Sequence, residues 1–190
     1  MKFLILMGSP RKNGNTISLV KPFIDEIRRS GDETDIIWLY DKDIKGCIAC
    51  RHCQKDWSKF GCIHKDDMQF IFDKILLCDK IILATPIYSW SCPSPMKAML
   101  DRLVYGMNKY YGDRKGPSLW KGKSVSIITT CGYDPQKGAD LFEESIKRYC
   151  KHSKLIYEGM LAELDLGYSE VFISDDKIER ARSFAKKLLD

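Results

Sequence analysis

A segment rich in glycine and short polar side chains follows the first apolar run of the chain. The run covers residues 3–7, and the segment after it is Gly8-Ser9-Pro10-Arg11-Lys12-Asn13-Gly14-Asn15-Thr16. Glycines let the backbone approach an anion. A helix beginning near Thr16 would direct its free N–H groups and the positive end of its dipole to the same place, and Arg11 could add a charge-assisted contact.

This chemistry suits a terminal monophosphate, and an ordinary strand-to-helix turn with polar surface residues is the alternative. The segment matches neither the dinucleotide fingerprint G-x-G-x-x-G nor the P-loop pattern G-x-x-x-x-G-K-S/T, which argues against both of those phosphate sites. The candidate phosphate-site residues are Ser9, Arg11, Gly14, Asn15 and Thr16.

A second loop carries groups that suit a flat heterocycle. The third predicted strand ends in Thr85-Pro86-Ile87-Tyr88-Ser89-Trp90-Ser91-Cys92-Pro93. Its prolines stiffen the loop and leave backbone N–H and C=O groups available, while Tyr88 and Trp90 provide aromatic surface. Open α/β sheets bind ligands beyond the carboxyl ends of their strands, so this loop is placed to contact a ligand. Simple packing of the two aromatic side chains within the loop is the alternative.

Four of the eight cysteines lie close together in the sequence. Cys47, Cys50 and Cys53 have two residues between neighbours, and Cys62 follows after eight more. Three thiolates at this spacing can converge on one small metal centre, as in the ferredoxin pattern. A Cys3His zinc site with His52 or His64 and a cysteine loop without metal are the alternatives. These cysteines lie in a segment at about 41–66 that lacks periodicity, and such a long loop usually has a function.

Alternating strand and helix patterns predict the fold. Val20, Phe23, Ile24 and Ile27 have helical spacing, and Pro22 among them predicts either a late helix start near Ser18 or a kink. Asp66 or Asp67 could cap the second helix, and Ser174 the last one. Apolar runs predict five strands at about 3–7, 34–40, 79–84, 123–130 and 154–162, with further helices after 66, near 94, at 141–149 and after 174.

Such alternation predicts an α/β fold, a doubly wound five-stranded parallel sheet with helices on both faces. A monophosphate loop after the first strand favours the flavodoxin-like strand order 2-1-3-4-5. A length of 190 residues with 44% hydrophobic content suits one domain over residues 1–190. Residues 106–121, which include Trp120, are predicted to form a surface loop.

Composition limits the class of protein. No stretch approaches the length of a membrane span, and the N-terminus lacks the pattern of a signal peptide, so we expect a cytoplasmic protein that does not enter membranes. The net charge of +5 is modest and its 31 basic residues are dispersed, which does not favour nucleic acid as a partner. Clustered cysteines in a reducing compartment indicate metal or redox chemistry before disulfides.

Over residues 1–132 the chain resembles the NAD(P)H-dependent FMN reductase and iron-sulfur flavoprotein branch of the flavodoxin-like superfamily. Residues 8–16 are similar to the FMN-phosphate loop of that family, and the family signature P-x-Y…L-K…D-R is similar to three segments here. Met96 stands where leucine is commoner, and Asp66-Asp67-Met68 is similar to a further family pattern. The three segments are Pro86-x-Tyr88, Pro95-Met96-Lys97 and Asp101-Arg102.

The resemblance implies roles for individual residues. Residues 86–90 would contact the isoalloxazine ring of FMN, and Thr130 and Gly132 would face its pyrimidine side. The cysteines occupy the place of a [4Fe-4S] site, with a longer last gap than in its compact version. Cys131 is expected to pack rather than to act as a nucleophile, and Lys97, Asp101 and Arg102 are assigned to the helix surface or a dimer contact. The implied ring contacts are Pro86, Ile87, Tyr88, Ser89, Trp90, Thr130 and Gly132, and the implied metal ligands are Cys47, Cys50, Cys53 and Cys62.

These implications lead to two functional hypotheses. In the first, the protein is an enzyme in which NAD(P)H reduces bound FMN, which then reduces a quinone, another small acceptor or a redox partner. In the second, it is an electron carrier that passes electrons between FMN, a [4Fe-4S] cluster and a protein partner. Neither hypothesis requires a side-chain general acid or base. Family resemblance also implies a homodimer or higher homo-oligomer, and a flavin-free structural or zinc-binding module is a third possibility.

Overall fold

The apolar runs of the sequence form the strands of one parallel sheet in the computed structural model, which describes residues 1–167 and 170–189. The strand order is β2-β1-β3-β4-β5, and every neighbouring pair is parallel. This arrangement confirms the predicted flavodoxin-like class. The strands are β1 Lys2–Met7, β2 Glu33–Trp38, β3 Lys80–Pro86, β4 Ser124–Cys131 and β5 Ile156–Leu164.

Helices cover both faces of this sheet. They are α1 Asn15–Arg29, α2 Met68–Leu77, α3 Ser94–Met107, α4 Pro135–Gly138, α5 Asp140–Ser153 and α6 Asp175–Leu189. The apolar side chains of α1 and α6 share one core with alternate residues of β1, and those of α2, α3 and α5 share the other. Leu4 and Leu6 enter one core while Phe3 and Ile5 enter the other, because successive side chains of a strand point to opposite faces. None of the described helices is long and apolar enough to cross a bilayer.

Helix α1 starts where the anion hypothesis requires. It begins at Asn15, so of the two alternatives predicted from Pro22, the late start near Ser18 is wrong. The N–H of Ser18 donates to the carbonyl oxygen of Gly14 at 3.2 Å, which closes the first turn before Pro22 is reached. An interior proline removes one hydrogen-bond donor, and burial of the apolar face of α1 compensates for that loss.

Two expectations about surface positions are wrong. Trp120 is only 3% exposed, and its Nε1–H donates to Oδ1 of Asn108 at 2.9 Å. A backbone bridge between Asn108 and Ser118 draws the segment onto the protein. Arg102 is also buried, at 2% exposure, because its charge is paired inside the protein with the carboxylate of Asp66.

Other expectations about helix ends and surface positions agree better with the structure. Lys97 and Asp101 form an exposed ion pair of 2.7 Å on the surface of α3, as expected. The N–H of Lys177 donates to the hydroxyl of Ser174 at 3.4 Å at the start of α6. The residue before α2 is Asp67, but its carboxylate accepts a hydrogen bond from the N–H of Asp43 and not from the helix. The N–H of Met68, the first residue of α2, donates instead to the carboxylate of Asp66 at 3.3 Å.

Candidate functional site

One cleft lies at the carboxyl ends of the central strands. It is bordered by the segments that follow β1, β3, β4 and β5, so the loops that the sequence singled out separately are neighbours in space. Its lining residues are Arg11, Asn15, Pro86, Ile87, Tyr88, Thr130, Cys131, Gly132, Asp165, Gly167 and Glu170. Seven of the predicted FMN-site residues belong to this lining.

Hydrogen bonds between the loops fix their relative positions. The hydroxyls of Thr16 and Thr130 are 3.0 Å apart, which joins the first turn of α1 to the end of β4. The N–H of Ile87 donates to the carbonyl oxygen of Thr130 at 2.8 Å, and the N–H of Gly8 donates to Ala84 at 2.7 Å. The Thr16 hydroxyl therefore supports the wall of the cleft through Thr130.

The N-terminal end of α1 has the properties of an anion site. Gly14 is the residue before the helix, and within the described part of the chain no side chain caps the helix and its first turn holds no acidic residue. Its first N–H groups and the positive end of the dipole therefore favour a negative charge. The N–H of Arg11 donates to the hydroxyl of Ser9 at 3.3 Å, so this serine supports the loop.

Gly14 leaves room that a larger residue would fill. A Cβ atom at Gly14 would lie 2.9 Å from Cβ of Arg11 and 3.2 Å from its Nε. The glycine therefore lets the Arg11 side chain fold against the start of the helix. Together, the open helix end, Arg11 and Asn15 fit a terminal phosphate group.

The aromatic loop after β3 has an unusual backbone. Ser89 and Trp90 both have positive φ values, 50° and 59°, in a turn whose ends are joined by hydrogen bonds of 2.8 and 3.0 Å between Tyr88 and Ser91. Trp90 stacks on Tyr133 with ring centroids 5.9 Å apart and donates its Nε1–H to the carbonyl oxygen of Lys137 at 3.1 Å. Left-handed geometry at two non-glycine residues costs energy and marks a loop that other contacts hold in place.

This loop divides the predicted ring contacts into two groups. Pro86, Ile87 and Tyr88 line the main cleft with Thr130 and Gly132, whereas Ser89 and Trp90 line an adjoining pocket. Ile87, Cys131 and Gly132 border both spaces, so the adjoining pocket opens from the same wall.

Sequence reasoning missed one wall of the cleft. Asp165, Gly167 and Glu170 follow β5, and Oδ2 of Asp165 accepts a hydrogen bond from Nδ2 of Asn15 at 2.8 Å. No motif marks these residues. They could have been predicted from their position, because they follow a strand that ends at the same edge of the sheet. Cys131 is 2% exposed and burial raises the pKa of its thiol, which supports the expected packing role.

A second cavity brings the clustered cysteines together. Cys47, Cys50, Cys53 and Cys62 all border it. Among residues 1–167 and 170–189, no three His, Cys, Asp or Glu side chains are arranged to hold a single metal ion. The four cysteines nevertheless border one space, and three of them have the spacing of the cluster-binding ferredoxin pattern.

The walls of this cavity offer hydrogen-bond donors. Ala49 and Arg51 have left-handed backbones, with φ of 53° and 56°, a geometry that can form an anion-binding concavity of N–H groups. Nε2 of His64 and Nε of Arg102 are buried without a hydrogen-bond partner in the described structure. Both residues line the cavity. The Arg102 guanidinium can only donate, and such a donor fits a thiolate-bound group that carries negative charge.

The other cysteines belong to the cores, and their chemistry should differ. Burial raises the pKa of Cys150 to about 12 and that of Cys78 to about 11, whereas Cys47 and Cys50 are exposed. Thiolates rather than thiols react with iodoacetamide. In metal-free native protein at pH 8, we expect label on Cys47 and Cys50, and label on Cys78 and Cys150 only after unfolding, as measured by peptide mass spectrometry. Equal labelling of both groups in native protein would contradict this assignment.

Comparisons with known proteins identify the family of this chain. Residues 1–144 match the family described as NADPH-dependent FMN reductase. An iron-sulfur flavoprotein of Methanosarcina thermophila is 32% identical over 126 residues, which cover 65% of this chain and 64% of that protein. An iron-sulfur flavoprotein of Methanocaldococcus jannaschii is 32% identical over 159 residues, which cover 84% of this chain and 75% of that protein.

Structural similarity extends further along the chain. An NAD(P)H:quinone oxidoreductase from Methanothermobacter marburgensis superposes with a TM-score of 0.71 at 18% identity, covering 99% of this chain and 98% of that one. At this identity the match supports the fold. The chain spans less than two thirds of the length of the Methanosarcina relative. The match over residues 1–144 nevertheless covers most of the 190 residues, and the chain belongs to the NADPH-dependent FMN reductase family.

Proposed function

We propose that the protein is an FMN-dependent oxidoreductase that accepts a hydride from NAD(P)H. The observation that carries this proposal is the cleft in which the open N-terminal end of α1 and the aromatic loop after β3 meet. A helix N-terminus suits the phosphate of FMN, and the loops at the carboxyl ends of the strands suit its ring. Family membership supports the same cofactor.

Different residues of the cleft hold different parts of FMN. Arg11, Asn15 and the first N–H groups of α1 bind the phosphate, while Ser9 and Thr16 fix the shape of the loop. Backbone groups of residues 86–88 and of 130–132 hold the edges of the ring, with Tyr88 along one side. Bound FMN supplies the hydride and electron chemistry, and the protein orients it and limits its exposure to water.

Anaerobic mixing of the FMN-loaded protein with NADH or NADPH tests this function. We expect loss of the visible absorption band of oxidised flavin, and its return when a quinone is added. If a chemical reductant removes this band but neither NADH nor NADPH does so, the proposed oxidoreductase activity is contradicted. An electron carrier would then be favoured.

The acceptor is proposed to bind in the adjoining pocket, where Trp90 and Tyr133 present stacked rings. Quinones are flat and would gain from such a surface. Removing one aromatic partner costs about 0.5–1.5 kcal/mol, which corresponds to a rise in KM of about two- to twelve-fold.

We therefore expect Trp90→Ala to raise the KM for a quinone by this amount while the FMN content stays unchanged, as measured by steady-state kinetics and flavin absorbance. Trp57→Ala is the matched control, since Trp57 is 39% exposed and borders a separate surface groove. An unchanged KM in Trp90→Ala would show that the acceptor does not bind in this pocket.

The cysteine cavity favours a second candidate function, an iron-sulfur flavoprotein that passes electrons between FMN and a protein partner. Four cysteines border one space, together with Arg102, whose buried Nε donor lacks a partner in the described structure. Iron analysis after anaerobic purification tests this candidate. About four irons per chain are expected for a [4Fe-4S] cluster. Iron-free protein that cannot be reconstituted would leave only the simple reductase.

Assembly and location are proposed on more general grounds. Tyr88, Trp90 and Tyr133 are 47, 49 and 63% exposed beside the cleft, an aromatic surface that a second copy of the chain could cover. We propose a homodimer or higher homo-oligomer, which light scattering would detect. All eight cysteines are free thiols, which is consistent with the reducing conditions of the cytoplasm.

A further inference from the structure

Arg102 of α3 lies inside the protein at the wall of the cysteine cavity. Its side chain is 1% exposed and that of its ion-pair partner Asp66 is 0% exposed. One terminal nitrogen, Nη1, contacts the Asp66 carboxylate and also the carbonyl oxygen of Lys45 at 3.2 Å. The other, Nη2, donates to Sγ of Cys62 at 3.1 Å.

Asp66 fixes the direction in which this guanidinium points. Its carboxylate also accepts from the N–H of Lys45 at 3.1 Å and from that of Met68 at 3.3 Å, so it is itself held by the backbone on two sides. A buried ion pair costs desolvation energy and is therefore weak evidence for stability alone. Because Asp66 engages Nη1, the Nη2 donor remains available for the sulfur of Cys62.

Cys62 lies apart from the other three cysteines along the chain. Cys47, Cys50 and Cys53 have only two residues between neighbours, a spacing at which thiolates can converge on one small metal centre. Eight residues separate Cys53 from Cys62, so local geometry does not bring this fourth sulfur to the cavity. The hydrogen bond from α3 is a tertiary contact that does so.

We propose that Arg102 is a positioning residue for Cys62. Oriented by Asp66, its guanidinium holds the Cys62 sulfur at the cavity wall and stabilises it as the fourth, anionic ligand of an iron-sulfur cluster. This inference rests on the second candidate function, in which the cavity holds a [4Fe-4S] cluster.

The test compares two double variants of the holoprotein, reconstituted anaerobically with iron and sulfide. Asp66→Asn with Arg102→Gln removes both buried charges and replaces the guanidinium that donates to Cys62 by a shorter, neutral amide. Lys97→Gln with Asp101→Asn is the matched control, because it makes the same chemical changes in an exposed ion pair of the same helix. The readouts are iron per chain, the EPR spectrum and FMN content.

Wild type and the control are expected to hold about four irons, whereas the buried variant should lose about one iron per chain and show the EPR signal of a three-iron cluster. Its FMN content should stay as in wild type, which a general loss of folding would not allow. Four irons and an unchanged spectrum in the buried variant would overturn the role of Arg102 while leaving the cluster function intact.

Arg102→Lys keeps the proposal testable if the double variant does not fold. Lysine preserves the charge beside Asp66 but lacks the planar fork that serves the carboxylate and the sulfur together. We expect iron loss in this variant at unchanged FMN content, and full iron content would overturn the proposal. Wild-type protein that takes up no iron at all would overturn both the cluster function and the role of Arg102.

Discussion

Arg11→Ala is expected to weaken FMN binding by about ten- to a hundred-fold. A hydrogen bond to a charged group contributes about 1.5–3 kcal/mol, and the phosphate carries the charge of the ligand at this end of the cleft. Arg11 lines the cleft beside Asn15, where the open end of α1 lies. Quenching of flavin fluorescence during titration of the apoprotein with FMN measures the change in Kd directly.

Lys12→Ala is the matched control for this prediction. Both substitutions remove one positive charge, so they change the long-range electrostatic field equally. Lys12, however, is paired with the carboxylate of Asp41 and lies 4.0 Å over the ring of Trp38. We expect its Kd for FMN to stay within about two-fold of wild type. An equal loss in both variants, or none in Arg11→Ala, would contradict a specific phosphate contact.

Gly106→Ala should destabilise the protein, although alanine normally favours a helix. The change stabilises an ordinary helix interior by about 0.5–1 kcal/mol. At this position a Cβ atom would lie 2.0 and 2.2 Å from two ring carbons of Phe60. That ring is 2% exposed and packs against Phe72 with centroids 5.1 Å apart, so it has little room to move.

Overpacking of this kind costs about 1–3 kcal/mol or more, which corresponds to a fall in Tm of about 2–12 °C for a chain of this size. Thermal unfolding followed by circular dichroism measures it. A second variant isolates the cause: with Phe60→Leu already in place, Gly106→Ala should cost much less. A Tm equal to or above that of wild type in the single variant would show that the ring moves freely.

The centre of the sheet could be predicted because β1, β3 and β4 are buried on both sides. Residues 3–7 form an unbroken apolar run, and in the structure their side chains alternate between the two cores. The residues at which strands end are harder to predict from the sequence. β3 continues to Pro86 and β5 to Leu164, two residues beyond the expected ends, since pairing with neighbouring strands rather than composition decides where a strand stops.

Most of the cleft could be predicted from the positions of its loops along the chain. Arg11, Tyr88 and Gly132 follow three different strands, and parallel strands carry such residues to one edge of the sheet. Asp165 and Glu170 were missed because a carboxylate after the last strand has no distinctive motif. The separation of Ser89 and Trp90 into an adjoining pocket depends on left-handed backbone angles that composition does not reveal.

Buried polar side chains were the least predictable feature. Lys109 is fully buried, and its Nζ donates to the carbonyl oxygens of Cys53 and Lys59, both at 2.7 Å. These partners lie 50 or more residues earlier in the sequence. Arg102 likewise depends on Asp66, 36 residues away. Charged residues are normally exposed unless paired, and no local pattern identifies a distant partner.

The absorption spectrum of anaerobically purified protein, with flavin released and identified from the same sample, tests the central claim most directly. We expect oxidised-flavin bands from about one FMN per chain, which NADH or NADPH then bleaches. A colourless protein that fails to take up added FMN would contradict the assignment of the cleft as an FMN site.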